Sequence, residues 1–270
     1  MTQFAAEGKR TGESVLATFD AGVLRVSLNR PDRLNALTTE VIEDVADVVA
    51  QAGADSSVRV LVLAGNGRSF CSGADLSMKP EPGWDPPADI IDAGNRLTKS
   101  LTEVPVPVIC AVQGAVAGIS VSFALACDFV LARPDAYFLL PFVHIGLMPD
   151  GGATAIVAAS IGRARALKLA MLGERLPATD ALAAGLIAAV HEDLDEAVNA
   201  LAARLSVLPP NALASSKLAI NGATLGSLGA AFEKERAGQL DLLRADDFIE
   251  GVAAFGEKRK PVFGQRSITL

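Results

Sequence analysis

Aromatic side chains make up only 5% of the 270 residues, with one tryptophan and one tyrosine. Alanine is abundant instead, so the helices are expected to pack closely through small side chains. Cysteine is scarce as well. Its three copies, Cys71, Cys110 and Cys127, are an odd number set in apolar sequence, which reads as buried free thiols rather than disulfides or a metal site. That usage fits a reducing, cytoplasmic environment. An excess of positive charge is missing too: the formal net charge is −7, which argues against general nucleic-acid binding. An anionic small ligand at a local basic patch stays compatible with it. The opening stretch MTQFAAEGKRTGES has no apolar h-region and does not read as a secretory signal. There is no internal repeat and no low-complexity linker, and no GxGxxG or GKS/T pattern marks a nucleotide-phosphate loop.

Charge is absent altogether from residue 104 to residue 127, a run long enough to raise the question of a membrane span. Pro105, Pro107, Gln113, Gly114 and Gly118 argue against one. They divide the run into a short β-branched strand, a glycine turn and a small-residue helix, all to be buried inside a soluble domain. The turn presents backbone N–H groups at a helix start, beside apolar walls. A second glycine turn, Ser72-Gly73-Ala74-Asp75, has the same expected context, a strand before it and a helix after it. Two such donors about 3 Å from a developing oxyanion stabilise an enolate or a tetrahedral intermediate.

Residues 14–19 and 23–28 read as strands joined at Asp20-Ala21-Gly22. Thr38 is placed to cap an amphipathic helix over 39–52, and the apolar run 58–63 suits a strand covered on both faces. Residues 79–87 (KPEPGWDPP) are the most loop-like segment and a candidate lid. Helices are expected over 88–101, 151–160, 163–172 and 179–184, with short strands at 129–132, 137–140 and 188–191. Beyond residue 194 the period is helical, broken near Pro209-Pro210 and over 222–229. The sequence thus predicts an α/β fold, with a core over residues 1–194 and a helical region, 195–270, of the kind that serves oligomerisation.

Four segments, LNRPDRLNAL, RSFCSGADL, AVQGAVAGISVSFALACD and PFVHIGLMPDGGAT, resemble in order and spacing the enoyl-CoA hydratase/isomerase (crotonase) superfamily. The similarity runs over residues 12–264. It implies a crotonase-like spiral of ββα units with a helical C-terminal trimerisation region, assembled as a homotrimer or a dimer of trimers. It also implies an acyl-CoA thioester as substrate, with no metal and no cofactor beyond the coenzyme A that the substrate carries. By position, the thioester oxygen would sit between the amides of Ala74 and Ile119. The second position is usually glycine in the hydratases, although any residue except proline supplies the N–H. Coenzyme A contacts would come from Arg33, Ala36, Ser72, Asp75 and Leu76, with Phe142 against the substrate. Phe255 and Lys258, in the tail segment AFGEKRKPVF, would reach the CoA of a neighbouring subunit. Trp84, Leu97, Leu101, Phe123 and Phe142 are candidates to line the acyl pocket.

The hydratases of this superfamily use two glutamates, and the matching positions here are Ser122 and Phe142. An ordinary hydratase is therefore not expected. Asp150 remains, in the segment LMPDGG, and the two surrounding motifs resemble the Δ3-Δ2-enoyl-CoA isomerase branch, whose acid in this segment is the base. One carboxylate suffices for that reaction: it removes a C2 proton from a 3-enoyl thioester and returns it at C4. Apolar neighbours Phe142, Leu147 and Met148 would raise its pKa. A second reading stands beside this one, in which Asp150 is the N-cap of the helix at 151–160, with a lowered pKa. Ser122 reads as a packing residue. His144 reads as a core residue with a satisfied N–H or as an auxiliary acid or base, Asp75 and Asp128 as caps or turn partners, and Asp85 as solvated. The expected activity is enoyl-CoA isomerisation. The alternatives are a hydratase, another enolate-forming CoA enzyme, or a non-catalytic acyl-CoA-binding protein.

Overall fold

Strand β2 (Val15–Asp20) turns at Ala21 and Gly22, both at positive φ, into β3 (Val23–Leu28). Outside this hairpin lies β1 (Arg10–Gly12), which the alternation pattern did not reveal. The sheet then continues in parallel through β4 (Val60–Gly65), β5 (Val108–Val112), β7 (Phe129–Ala132) and β10 (Ala189–Val190). The structure is a computed structural model that describes residues 10–77 and 83–264. Of the expected lid, 79–82 lie outside the described residues.

β4 shows why the run over 58–63 does not alternate. Leu61 and Leu63 enter the main core, while Val60 and Val62 pack on the opposite face against Leu194, Val198, Ala202 and Leu205 of α7 (Leu194–Ser206). A strand buried on both faces has no polar side to display. The main core lies between the other sheet face and six helices: α1 (Thr39–Ala54), α2 (Asp89–Glu103), α3 (Ile119–Ala126), α4 (Ala153–Ile161), α5 (Arg163–Leu172) and α6 (Ala178–Ala184). Thr38 caps α1 as expected, accepting from the Val41 amide at 3.4 Å. A smaller sheet joins β6 (Ala115–Ala117), β8 (Tyr137–Leu139) and β9 (Leu176–Pro177). β6 occupies the middle of what reads in sequence as a glycine turn.

After α7 come α8 (Pro210–Thr224), α9 (Leu228–Leu243) and α10 (Asp246–Glu257). The breaks fall at Pro209 and Gly226, where proline and glycine predict them, and at Arg244-Ala245, where neither does. α8 is tied to the core by a buried ion pair. Lys217 Nζ lies 2.9 Å from Asp128 Oδ2 and also donates to the Val106 carbonyl, while Asp128 accepts from the Val108 amide. Removing one partner of such a pair leaves a buried charge behind, so Lys217→Met is expected to cost about 3–5 kcal/mol, read from denaturant midpoints. α9 and α10 fold back on the core. Phe248 of α10 stacks on Trp84, with centroids 6.2 Å apart, and Arg244 pairs with Asp85 at 2.8 Å. Asp85 is thus exposed but paired. Among the described residues, no helix is long and apolar enough to cross a membrane.

Candidate active site

The first glycine turn is held by a ladder to the loop after β3. That loop passes through a 3-10 turn (Pro31–Arg33) and reverses at Leu34 and Asn35, whose φ values are 52° and 55°. Asparagine tolerates this left-handed backbone better than most residues. The Asn35 side chain, 1% exposed, accepts from the Arg30 amide and donates to the carbonyls of Asn66, Ser69 and Phe70. From that anchor the Ser72 amide donates to Leu34, the Leu37 amide to Gly73 and the Asp75 amide to Leu37. Both neighbours of Ala74 are engaged, and the Ala74 N–H has no partner among the described residues. The expectation of a helix directly after this turn is not met: residues through Ser77 are irregular, and α2 begins at Asp89. Among the described residues, no helix starts at the Ala74 amide.

The second turn does open a helix. Gly118, at φ 61° and ψ −137°, is the N-cap of α3, so Ile119 is the first helical residue, and its N–H is one of the orphan donors of a helix start. The two turns touch. The Cys71 amide donates to Ala115, the Ala117 amide to Cys71, and a Cβ built on Gly73 would lie 2.9 Å from the Ala117 carbonyl. The Ile119 side chain is nested between glycines of two other segments. A Cβ on Gly94 of α2 would approach its Cδ1 to 2.3 Å, and one on Gly151 its Cγ1 to 2.8 Å. That is how the chain admits an isoleucine where the hydratases favour glycine.

Asp150 stands on the turn before α4, next to Ile119. Its backbone carbonyl accepts from the Ser122 hydroxyl at 2.8 Å, and the Gly151 carbonyl accepts from Thr98 at 2.9 Å. Ser122, in one of the two glutamate positions, thus holds the turn rather than reacting. The Asp150 side chain is 7% exposed. Oδ2 accepts from Gln239 Nε2 at 2.8 Å, and Oδ1 has no hydrogen-bond partner among the described residues. Burial pushes the carboxyl up to about 7; the bond from Gln239 opposes this and the nearby Glu235 charge adds to it.

The capping reading of Asp150 is overturned. α4 starts at Ala153, whose amide donates to the Asp150 backbone carbonyl at 3.2 Å, and the amides on either side of it belong to Glu235 of α9. Glu235 Oε2 accepts from the Gly152 amide at 2.6 Å, and Oε1 accepts from the Thr154 amide and hydroxyl. Glu235 and Gln239, 1% and 2% exposed, are the site residues that sequence reasoning missed. A signal for them exists: with Leu228 and Phe232 they fall at i, i+4, i+7 and i+11 of one helix face, so two polar residues continue an apolar stripe.

Other candidates fall in three places. Ser72, Leu76 and Ala36 are half-buried around the first turn, and Asp75 is engaged by Arg30 at 3.1 Å and by the Ser77 amide. Phe142, in a 3-10 turn (Pro141–Ile145), is buried, with its ring 3.9 Å from a Cβ built on Gly118. Leu97, Leu101 and Phe123 are core residues, while Arg33, Phe255 and Lys258 are exposed. No hydrogen bond or ion pair among the described residues joins the Lys258 side chain to the site. His144 is not a core residue: it is exposed, and its Nε2 meets the Gly173 carbonyl at 3.0 Å. The three cysteines are buried free thiols.

A parallel sheet with an antiparallel hairpin at its edge, two abutting glycine turns and a returning helical tail is the architecture of a crotonase-like α/β protein. The sequence model of enoyl-CoA hydratase/isomerase matches residues 18–266. Among curated proteins, a 1,2-epoxyphenylacetyl-CoA isomerase of Escherichia coli K12 is 38% identical over 260 residues, covering 93% of this chain and 98% of that protein. A probable enoyl-CoA hydratase of Rhodobacter capsulatus is 36% identical, covering 91% of this chain and 95% of that protein. The crystal structure of an enoyl-CoA hydratase from Mycobacterium avium subsp. paratuberculosis K-10 superposes with a TM-score of 0.87 at 46% identity, covering 93% of this chain and 99% of that one. The chain belongs to the enoyl-CoA hydratase/isomerase family and is an enzyme of that family.

Proposed function

We propose that the protein is an enoyl-CoA isomerase that converts 3-enoyl-CoA to 2-enoyl-CoA, with Asp150 as its single acid and base. The observation that carries this reading is the buried Asp150 carboxyl, poised near neutrality, with one oxygen unpartnered, on a turn whose next residue, Gly151, packs against Ile119 at the start of α3. The thioester carbonyl is placed between the Ala74 and Ile119 amides. Asp150 takes the C2 proton, and the electron pair of the broken C–H bond moves toward the carbonyl, giving a dienolate whose oxyanion those amides hold. The same proton, now on Asp150, is returned at C4 as the double bond settles between C2 and C3. A base near the working pH is ionised often enough to accept the proton and acidic enough to release it.

Hydration would need a second acid–base group. Ser122 is committed to the Asp150 carbonyl, Phe142 has no proton to exchange, and Glu235 is committed to the start of α4. Coenzyme A is assigned to the surface formed by Arg33, Ala36, Ser72, Asp75 and Leu76. Phe255 and Lys258 are assigned to cover the coenzyme A of a neighbouring subunit in a trimer or a dimer of trimers. The exposed Met171, Leu172, Phe255 and Val262 supply apolar surface for such assembly. The test is to offer 3-hexenoyl-CoA and 2-hexenoyl-CoA side by side. Appearance of the conjugated thioester from the first, with the second left unhydrated, is expected. Net hydration of the second would refute a one-group mechanism.

A further inference from the structure

We infer that Glu235 and Gln239 of the tail helix α9 are positioning residues for Asp150. Gln239 holds Oδ2 and so leaves Oδ1 as the proton-exchanging atom, while Glu235 relieves Asp150 of capping α4. The inference rests on the reading of Asp150 as the acid and base.

The orientation of the Gln239 amide is fixed by its surroundings. Its Oε1 accepts from the Met148 amide at 3.3 Å, which turns Nε2 toward Asp150 Oδ2 at 2.8 Å. A carboxylate so held cannot rotate freely, and its other oxygen is the one without a partner. Glu235 lies one helical turn away on the same face. Both of its oxygens accept, three donors in all, which is the pattern of an ionised carboxylate. Had Asp150 supplied those bonds itself, they would have stabilised its charge and made it a weaker base. Dividing the two tasks between two acids frees Asp150 for chemistry.

The surroundings of Asp150 are otherwise uncharged where they touch it. α3 offers Ser122, α2 offers Thr98, and α4 carries no ionisable residue. Elsewhere on α2, Asp92 pairs with Arg236 of α9, and Arg96 turns to Glu43 and Asp47. In the 3-10 turn, His144 is bound to the Gly173 carbonyl. Glu235 is left as the charge that acts on Asp150, with Gln239 as the larger opposing hydrogen bond and Asp150's own backbone amide as the smaller. The two residues therefore push the acid in opposite directions. Losing Gln239 disfavours the carboxylate and raises its pKa, whereas neutralising Glu235 lowers it.

The experiment is the pH dependence of kcat and kcat/KM for 3-hexenoyl-CoA in wild type, Gln239→Leu, Glu235→Gln and Asp150→Asn. The acid limb is expected to move up by about one to two pH units in Gln239→Leu, the worth of a hydrogen bond to a charged group. In Glu235→Gln it is expected to move down, with KM within about twofold of wild type in both, because neither residue touches substrate. A residue of merely structural importance would lower the amount of active enzyme without moving the limb. If Glu235→Gln does not fold, the limb of Gln239→Leu decides alone. An unmoved limb in folded variants, with Asp150→Asn inactive, overturns the inference and leaves the role of Asp150 standing. Full activity in Asp150→Asn overturns both.

Discussion

Replacing Asp150 by asparagine is expected to lower isomerase turnover by a factor on the order of 10²–10⁴, the usual contribution of a positioned proton-transfer group. The same change is expected to make the protein more stable. The carboxyl ionises at about 7 in the folded chain against 3.8 as its ordinary value, because burial disfavours the charged form. The folded state therefore binds more protons than the unfolded state between these two values. Stability attributable to this group is full below pH 4, falls as pH rises through that window and is lost above about pH 7. Three units correspond to about 4 kcal/mol, at 1.36 kcal/mol per unit. Asparagine keeps an oxygen to accept from Gln239 and carries no charge at any of these pH values. The melting temperature of Asp150→Asn should match wild type near pH 4 and exceed it increasingly toward pH 8, by about 2–4 °C per kcal/mol for a chain of this size. A variant that is inactive yet no more stable at pH 8 would show that the folded carboxyl is not held near neutrality.

The second large effect concerns the oxyanion donors. A backbone N–H is removed from the side-chain repertoire only by proline, which usually damages the fold. Ile119 is an exception by position. It is the first residue of α3, where a missing N–H breaks no intrahelical bond and the fixed φ of proline suits the helix. Gly118 before it, having no Cβ, avoids much of the clash that proline imposes on the preceding residue. Ile119→Pro is therefore expected to fold, with some loss of stability from the space vacated between Gly94 and Gly151. Its kcat should fall by about 10²–10³, the cost of one oxyanion donor. Ile119→Val keeps the N–H and most of the packing, and should stay within a few-fold of wild type. Equal activities in the proline and valine variants, measured on protein shown by circular dichroism to be folded, would remove Ile119 from the oxyanion site.

The contrast between Asp150 and its partners shows what a sequence displays. Thr38, α5 (Arg163–Leu172) and the hairpin at Ala21-Gly22 are local matters of capping, period and turn chemistry, and they lie where the residues indicate. Asp150 is legible because it sits in a motif with glycines on one side and apolar residues on the other. Its capping alternative fails for a reason no local pattern contains: a glutamate 83 positions after Gly152 reaches the start of α4 first. Glu235 lies in AFEKERAGQL, inside a run of four consecutive charged residues of the kind a solvated helix carries. Only the continuation of the Leu228–Phe232 stripe marks it. Short strands such as β6 and β9 were invisible because their order comes from partners distant in sequence, with too few residues to show a period.

The return of α9 to the core has a consequence for the order in which the enzyme becomes an enzyme. A ribosome releases residues 10–194, with both glycine turns and Asp150, well before residues 228–243 emerge. Until α9 docks, the start of α4 lacks Glu235, and Asp150 lacks both the amide that orients it and the cover that keeps water from it. On the proposed role of Asp150, catalytic competence then waits for α9 to dock.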